Sequence, residues 1–260
     1  MARVRKKNRL RNWLLLLVCV AVAYVALAFV YFFLWESQRV DRLLKQWPVV
    51  RYQGPKEYSY VELVDRPPPG WANLGEISRF AIGAVIVSED WNFFSHDGVD
   101  FDELKDAIET DLRKRRFARG ASTLTQQVVK NVFLTKDKSL IRKLKELYMA
   151  TELEDQVPKR RILEVYFNIA EWGEGIYGIR AASRHYFSKS PGELTPKEAA
   201  FLAMLLPSPK RYSQSFRRKR LTPYARKQIK AILRKMTQAH YLDDERRAVE
   251  VSTPLGFEAS

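Results

Sequence analysis

Cysteine is almost absent from this chain: the only one among 260 residues is Cys19. It lies inside an apolar run, so the rest of the chain has no disulfide framework and no cysteine metal site. Histidine is scarce too, with three residues, and His96 has no metal-binding partner at ligand spacing. No Gly-x-Ser-x-Gly elbow and no Walker loop occur, which argues against acyl transfer and nucleotide hydrolysis. Internal repeats are missing, and strands do not alternate with helices, so a parallel α/β sheet is excluded. Acidic residues are in deficit, 30 against 45 Lys and Arg, giving a formal charge of +15.

The N-terminus sets the compartment. Arg3, Arg5, Lys6, Lys7, Arg9 and Arg11 precede an uncharged run, WLLLLVCVAVAYVALAFVYFFLW, from Trp13 to Trp35. At about 1.5 Å per residue a helix of that length spans a ~30 Å hydrocarbon core. Trp13, Tyr31 and Trp35 sit near its ends, where amphipathic rings favour the interface. Cations ahead of the span place residues 1–12 in the cytoplasm and residues 36–260 outside. A cleaved signal peptide is the competing reading. The run is longer than a usual signal core and lacks a small-x-small cleavage site, which favours an uncleaved, single-pass anchor over residues 13–35. With the six N-terminal cations set aside, +9 of the +15 remains. Basic charge outside the cell points to lipid headgroups or a phosphorylated substrate, and nucleic acid lies on the wrong side of the membrane.

The roughly 225 residues beyond the anchor suit one large domain, or one with a small lobe, stabilised by its core alone. Residues 36–46 continue the anchor helix. Trp47 to Gly75, with its RPPPG and QGP segments, reads as a membrane-proximal connector with one short strand at Tyr58–Val64. From Glu76 the text is helical. Ile77, Phe80, Ala81, Ala84 and Val85 form a stripe. Ser139 caps a helix whose buried face is expected to be Leu140, Ile141, Leu144, Leu147 and Tyr148. Pro158 suits a first helical turn. Thr195-Pro196-Lys197-Glu198 is a capping box with Pro at the first position. Thr222-Pro223 opens a last helix with Ile229, Ile232, Leu233 and Met236 on one side. The fold class is all-α with a minor β element near the connector, in a main domain over 76–242. The tail, 243–260, is expected to be loosely ordered.

Three segments could carry chemistry. FAIGAVIVSEDWNFFSHDG ends an apolar run in Glu89-Asp90, and a carboxylate against apolar walls gains proton affinity and can act as a general base or acid. The plainer reading, a pair ending a helix in water, stands beside it. GASTLTQQVVKN, Gly120 to Asn131, offers backbone N–H groups for an anion, with Thr123, Gln127 and Lys130 on one helical face. An ordinary cap and a solvated face explain it equally well. In Arg142-Lys143-Leu144-Lys145-Glu146 the spacing of four fits a surface ion pair, or an arginine that orients Glu146 toward a pocket. The run RKRRFAR, Arg113 to Arg119, is a solvated charge cluster or a headgroup contact.

In this order the segments resemble the peptidoglycan glycosyltransferases, glycosyltransferase family 51. The resemblance runs through Glu89-Asp90-x-x-Phe93-x-x-His96-x-Gly98, Gly120-x-Ser-Thr-Leu-Thr-Gln-Gln-x-x-Lys130-Asn131 and Arg142-Lys143-x-x-Glu146. It continues with Arg161-Ile-Leu-Glu164-x-Tyr166-x-Asn168, then Gly175-x-x-Gly178 before Tyr186-Phe187, and Glu198 ahead of Leu206-Pro207. It covers about residues 74–212, with all five family motifs in order.

The resemblance implies a mainly α-helical, lysozyme-like, two-lobed domain with a lobe that touches the bilayer. The chain ends soon after this domain, the organisation expected of a monofunctional member without a transpeptidase domain. The implied reaction polymerises lipid II into β-1,4-linked glycan with inversion and releases undecaprenyl pyrophosphate. Glu89 is the implied general base and Glu146 its functional partner across a cation-lined cleft. Asp90, Phe93, His96, Thr123, Gln126, Gln127, Lys130, Lys138, Arg142 and Lys143 are the implied substrate-side residues. Lys138 stands where family members commonly carry arginine; it keeps the charge and loses the bidentate fork. No cofactor is required and no metal ligands are assigned, although magnesium at the donor pyrophosphate is compatible. The partners are lipid II, the growing strand and the bilayer, with other wall-synthesis proteins as further candidates. Two alternatives stand beside it: a membrane-anchored lytic glycosidase or muramidase, which would not need the cations downstream of Glu89, and a non-enzymatic wall-assembly scaffold, which would not need Glu89 or Glu146.

Overall fold

The computed structural model describes residues 2–53, 58–114, 122–135, 137 and 139–258. Helix α1 (Ala2–Val40) is followed by a hairpin of β1 (Trp47–Gln53) and β2 (Tyr58–Val64). Then come α2 (Arg79–Glu89), α3 (Phe101–Lys114), α4 (Leu124–Val132), α5 (Leu140–Gln156) and α6 (Lys159–Ile169). A small ribbon, β3 (Glu171–Gly173) and β4 (Ile176–Tyr177), precedes α7 (Ile179–Phe187) and α8 (Pro196–Leu205). Two short turns, α9 (Pro209–Tyr212) and α10 (Gln214–Arg217), lead to α11 (Pro223–Gln238) and α12 (Asp244–Ser252). The protein is mainly α-helical, as its sequence indicates.

Every residue of α8 is buried, and α2 and α11 pack against it. An apolar helix with no polar stripe belongs in a core. Its entry is the capping box read from sequence: Thr195 N–H donates to Glu198 Oε2 at 2.9 Å and Glu198 N–H to Thr195 Oγ1 at 3.3 Å. Thr222 caps α11, and Ile229, Ile232, Leu233 and Met236 are buried as the periodicity requires. In α2, Ser78 caps the N-terminus, and Ala81, Gly83, Ala84 and Val85 face the core. A Cβ on Gly83 would fall 2.5 Å from the Tyr241 ring, so this helix needs glycine for close approach. Pro158 occupies the cap of α6, one position before its first turn.

The apolar stretch of α1 is exposed along its length, and Asn12–Leu44 is long and apolar enough to cross a membrane. Its last turns dock on α5. Phe33 meets Tyr148 edge-on at 4.5 Å, Lys145 lies 4.0 Å over the Phe32 ring, and Gln156 donates to Ser37 Oγ at 3.1 Å. These pairs advance together along both helices, so α1 and α5 run parallel and the first turn of α5 lies beside the apolar part of α1.

That arrangement overturns one expectation. Leu140, Ile141 and Leu144 are 85%, 70% and 62% exposed, whereas the buried face of α5 is Glu146, Met149, Ala150 and Leu153. An apolar side chain next to an anchor helix is stabilised by sharing the anchor's surroundings, so its periodicity does not point to the protein core. Two further expectations change. The connector holds two strands, with Trp47 opposite Val64 and Val50 opposite Val61; Pro48 and Arg51 had hidden the first. The tail is ordered over residues 243–258: Asp243 caps α12, and Leu255 and Phe257 are buried, with Phe257 5.2 Å from Phe201 and 5.3 Å from Phe216. Too few apolar residues occur there to give a periodic signal.

Candidate active site

Glu89 is the last residue of α2 and Asp90 its C-cap, and the two carboxylates part company there. Glu89 is half-buried and, among the described residues, accepts one side-chain hydrogen bond, from Gln127 Nε2 at 3.2 Å. Burial raises its pKa above the ordinary carboxylate value; the Gln127 bond pulls it back, Asp90 raises it further, and Lys130 and Lys235 lower it. Asp90 is 2% exposed and bonded on two sides. It accepts from Leu124 N–H at 2.8 Å, at the start of α4, and lies 3.1 Å from His96 Nε2. A carboxylate at a helix N-terminus satisfies an orphan donor and complements the helix dipole. Asp90 therefore ties α2 to α4 and leaves Glu89 as the accessible acid.

The loop between them is held by backbone geometry. Thr123 Oγ1 donates to Gly98 O at 2.7 Å, and Thr123 and Gln126 form a capping box at the start of α4. Gly98 has φ +86°, and a Cβ there would lie 2.5 Å from Ala150 O, so only glycine fits. Phe93 is fully buried, 6.2 Å edge-on from His96 and beneath Lys159 at 4.7 Å. Glu154 accepts from Thr125 Oγ1 at 2.5 Å and pairs with Lys159 at 2.6 Å; its Oε1 is 4.0 Å from His96 Nδ1.

Helix α4 connects this acidic corner to a cationic one. Gln127 and Lys130 are three residues apart and share a face. Tyr166 OH contacts Gln127 Oε1 at 3.4 Å; burial holds the Tyr166 phenol well above its ordinary pKa, so it remains a donor that orients the amide. Beyond it, Lys130 and Arg142 line a cleft of about 730 Å³ together with Asn131, Phe133 and Tyr177. Glu146 is 2% exposed and sits between Arg142 Nη1 at 3.0 Å and Lys143 Nζ at 2.5 Å. The pair is thus not a solvated surface bridge: the buried carboxylate orients two cations. Among the described residues Arg142 Nε is buried without a hydrogen-bond partner, a donor left available beside the cleft.

Of the residues read from sequence, Glu89, Asp90, Phe93, His96, Thr123, Gln126 and Gln127 gather at the α2–α4 junction, and Lys130 and Arg142 at the cleft, with Glu146 joining Arg142 to Lys143. Lys138 lies outside the described residues, as do Arg115 to Arg119 of the basic run. Sequence reading missed Lys235, whose Nζ donates to Val87 O at 3.0 Å, at the C-terminal turn of α2. A cation there complements the helix terminus and acts on Glu89. Its only signal in the sequence is a lysine on an otherwise basic helix face. Glu154 and Lys159 were missed as well.

The family model described as Transglycosylase matches residues 60–237. The chain belongs to this family. It is similar to the biosynthetic peptidoglycan transglycosylase of Herminiimonas arsenicoxydans, 37% identical over 237 residues, covering 88% of this chain and 97% of that one. The protein of the same description in Bordetella pertussis is 37% identical, covering 86% and 94%. That of Aromatoleum aromaticum is 45% identical over 157 residues, covering 60% and 68%. Among solved structures, penicillin-binding protein 1A from Haemophilus influenzae aligns with TM-score 0.38 and 18% identity, over 81% of this chain and 21% of that one.

Proposed function

We propose that this membrane-anchored transglycosylase is a peptidoglycan glycosyltransferase of cell-wall synthesis that joins lipid II units into β-1,4-linked glycan. Glu89 takes the proton from the 4-hydroxyl of the acceptor N-acetylglucosamine as that oxygen attacks the anomeric carbon of the donor N-acetylmuramic acid. The bond from that carbon to phosphate breaks, the configuration inverts, and undecaprenyl pyrophosphate leaves with the electron pair. An alcohol nucleophile needs a base of adequate proton affinity, and burial gives Glu89 that affinity. The developing pyrophosphate charge needs oriented cations, and Lys130 and Arg142 line the cleft while Glu146 fixes Arg142 and Lys143. Asp90, Phe93, His96, Thr123 and Gln126 hold the α2–α4 junction, and Gln127 aims Glu89.

Among the described residues no group of three or more His, Cys, Asp or Glu side chains converges as a metal site. Glu146 is taken up by two cations, and no step is assigned to a metal ion. The six cations ahead of the span support a topology with the N-terminus in the cytoplasm and the catalytic domain outside, beside its lipid-linked substrate.

The observation that carries this reading is one helical face, Gln127 to Lys130, with a proton-accepting carboxylate at one end and an oriented cation pair at the other. Purified protein incubated with lipid II should yield long glycan strands and free undecaprenyl pyrophosphate. Cleavage of preformed glycan with no strand synthesis would replace this reading with a lytic one.

A further inference from the structure

The positive charge outside the N-terminal tail is gathered in one stretch. Between Glu198 and Asp243 the sequence has no acidic residue and eleven Lys and Arg. Those eleven and the six of the tail exceed the whole formal surplus of +15, so the rest of the chain carries a small net negative charge. Elsewhere exposed arginines are matched to carboxylates, Arg51 to Glu62 at 3.0 Å and Arg246 to Glu250 at 3.1 Å. Within the acid-free stretch Arg218, Arg220 and Arg226 are exposed, and among the described residues none of the three pairs with a carboxylate. They line one pocket of about 480 Å³ together with Leu221, Thr222 and Pro223. A turn brings them together: Arg220 N–H donates to Ser215 O at 3.0 Å and Lys219 N–H to Phe216 O at 3.0 Å, with Lys219 at φ +52°. Thr222 then caps α11, whose fourth residue is Arg226. Cations at the N-terminal end of a helix oppose its dipole, and like charges around one pocket repel. A bound anion would offset both costs.

We propose that this pocket binds a phosphate-bearing anion, with Arg218, Arg220 and Arg226 as its recognising groups. Charge and shape select the class. A carboxylate is planar and engages one guanidinium fork at a time, whereas a phosphate spreads its oxygens tetrahedrally and meets several forks from different directions. Three arginines around one pocket supply the charge to match two linked phosphates. None of the pocket residues lines the catalytic cleft, so the site is separate from the one that holds Lys130 and Arg142. Lipid headgroups and soluble phosphates share this chemistry, and the test separates them.

The test uses the full chain in neutral detergent at fixed ionic strength, titrated with inorganic pyrophosphate, with citrate, or with cardiolipin doped into the micelles. Affinity is read from the concentration dependence of the melting temperature, which a ligand of the folded state raises. The difference between wild type and a triple variant, Arg218→Gln with Arg220→Gln and Arg226→Gln, isolates this pocket from every other basic surface. Wild type should bind a phosphate probe about tenfold more tightly than the triple variant does, and about tenfold more tightly than it binds citrate. Arg226→Lys should keep part of that affinity. Without any anion the triple variant should melt at or above wild type, because repulsion and an opposed dipole are relieved. An arginine-dependent response to cardiolipin alone assigns a lipid headgroup, and one to pyrophosphate assigns a soluble phosphate. Equal responses of wild type and triple variant to both phosphate probes would overturn the proposal. So would citrate matching the phosphate probes in wild type, or an anion-free triple variant that melts far below wild type, which would make the arginines structural.

Discussion

Glu89 and Glu146 are the same residue type in opposite surroundings. Glu89 is half-buried at a helix end with, among the described residues, one amide donor and no cation in hydrogen-bonding contact, and its proton affinity is raised. Glu146 is buried in mid-helix and pinned between a guanidinium and an ammonium. Geometry gives the first the properties of a base and makes the second a fastener for Arg142, which lines the cleft, and for Lys143. A carboxylate becomes reactive where its partners are few and weak, and structural where they are strong. Asp90, adjacent in sequence to Glu89, follows the second pattern with a backbone N–H and a histidine in place of cations.

The largest effect should come from Glu89→Gln. Loss of a positioned general base is expected to lower the strand-synthesis rate by about 10³-fold. Its stability should not fall. A carboxylate whose folded pKa is raised binds its proton more tightly when folded, so it destabilises the fold as pH rises from the unfolded pKa through the folded one. At neutral pH the glutamine variant should therefore melt at or above the wild-type temperature, and a large drop would show that Glu89 is a structural group. Next comes Glu146→Gln, which should slow synthesis by about 10²-fold and lower stability by about 2 kcal/mol, because two cations lose their buried anion. Wild-type rate and melting would return Arg142 and Glu146 to an inert pair. Gly98→Ala should cost about 2 kcal/mol or more, from its positive φ and the Ala150 carbonyl, read by denaturant unfolding. Smallest is Lys235→Met. Removing a cation that lowers the Glu89 pKa should move the acidic limb of the pH–rate profile upward, with Lys235→Arg restoring it. An unmoved limb would leave Lys235 as a helix-end contact only.

Much of the site was legible because its parts are local. Thr123 to Lys130 and Arg142 to Glu146 each lie within two helical turns, where spacing alone fixes the shared face. The capping boxes at Thr195 and the stripe of α11 were legible for the same reason. Contacts that join distant segments were not. Lys235 reaches Val87 from α11, and Glu154 meets Lys159 and Thr125 across three helices; no local pattern encodes these. The exposed face of α5 was misread because apolar periodicity marks burial in any apolar medium, and the docking of α1 places that turn next to the anchor. Strand β1 was missed because a proline and an arginine break its alternation, although its partner supplies the register.

The division of labour between the two glutamates can be measured in one pair of experiments on Glu89→Gln, lipid II binding and strand formation. Binding should stay within about threefold of wild type, because Lys130, Arg142 and Lys143 are untouched, while strand synthesis falls by about 10³-fold. Strand formation at the wild-type rate would contradict the assignment of Glu89 as the base.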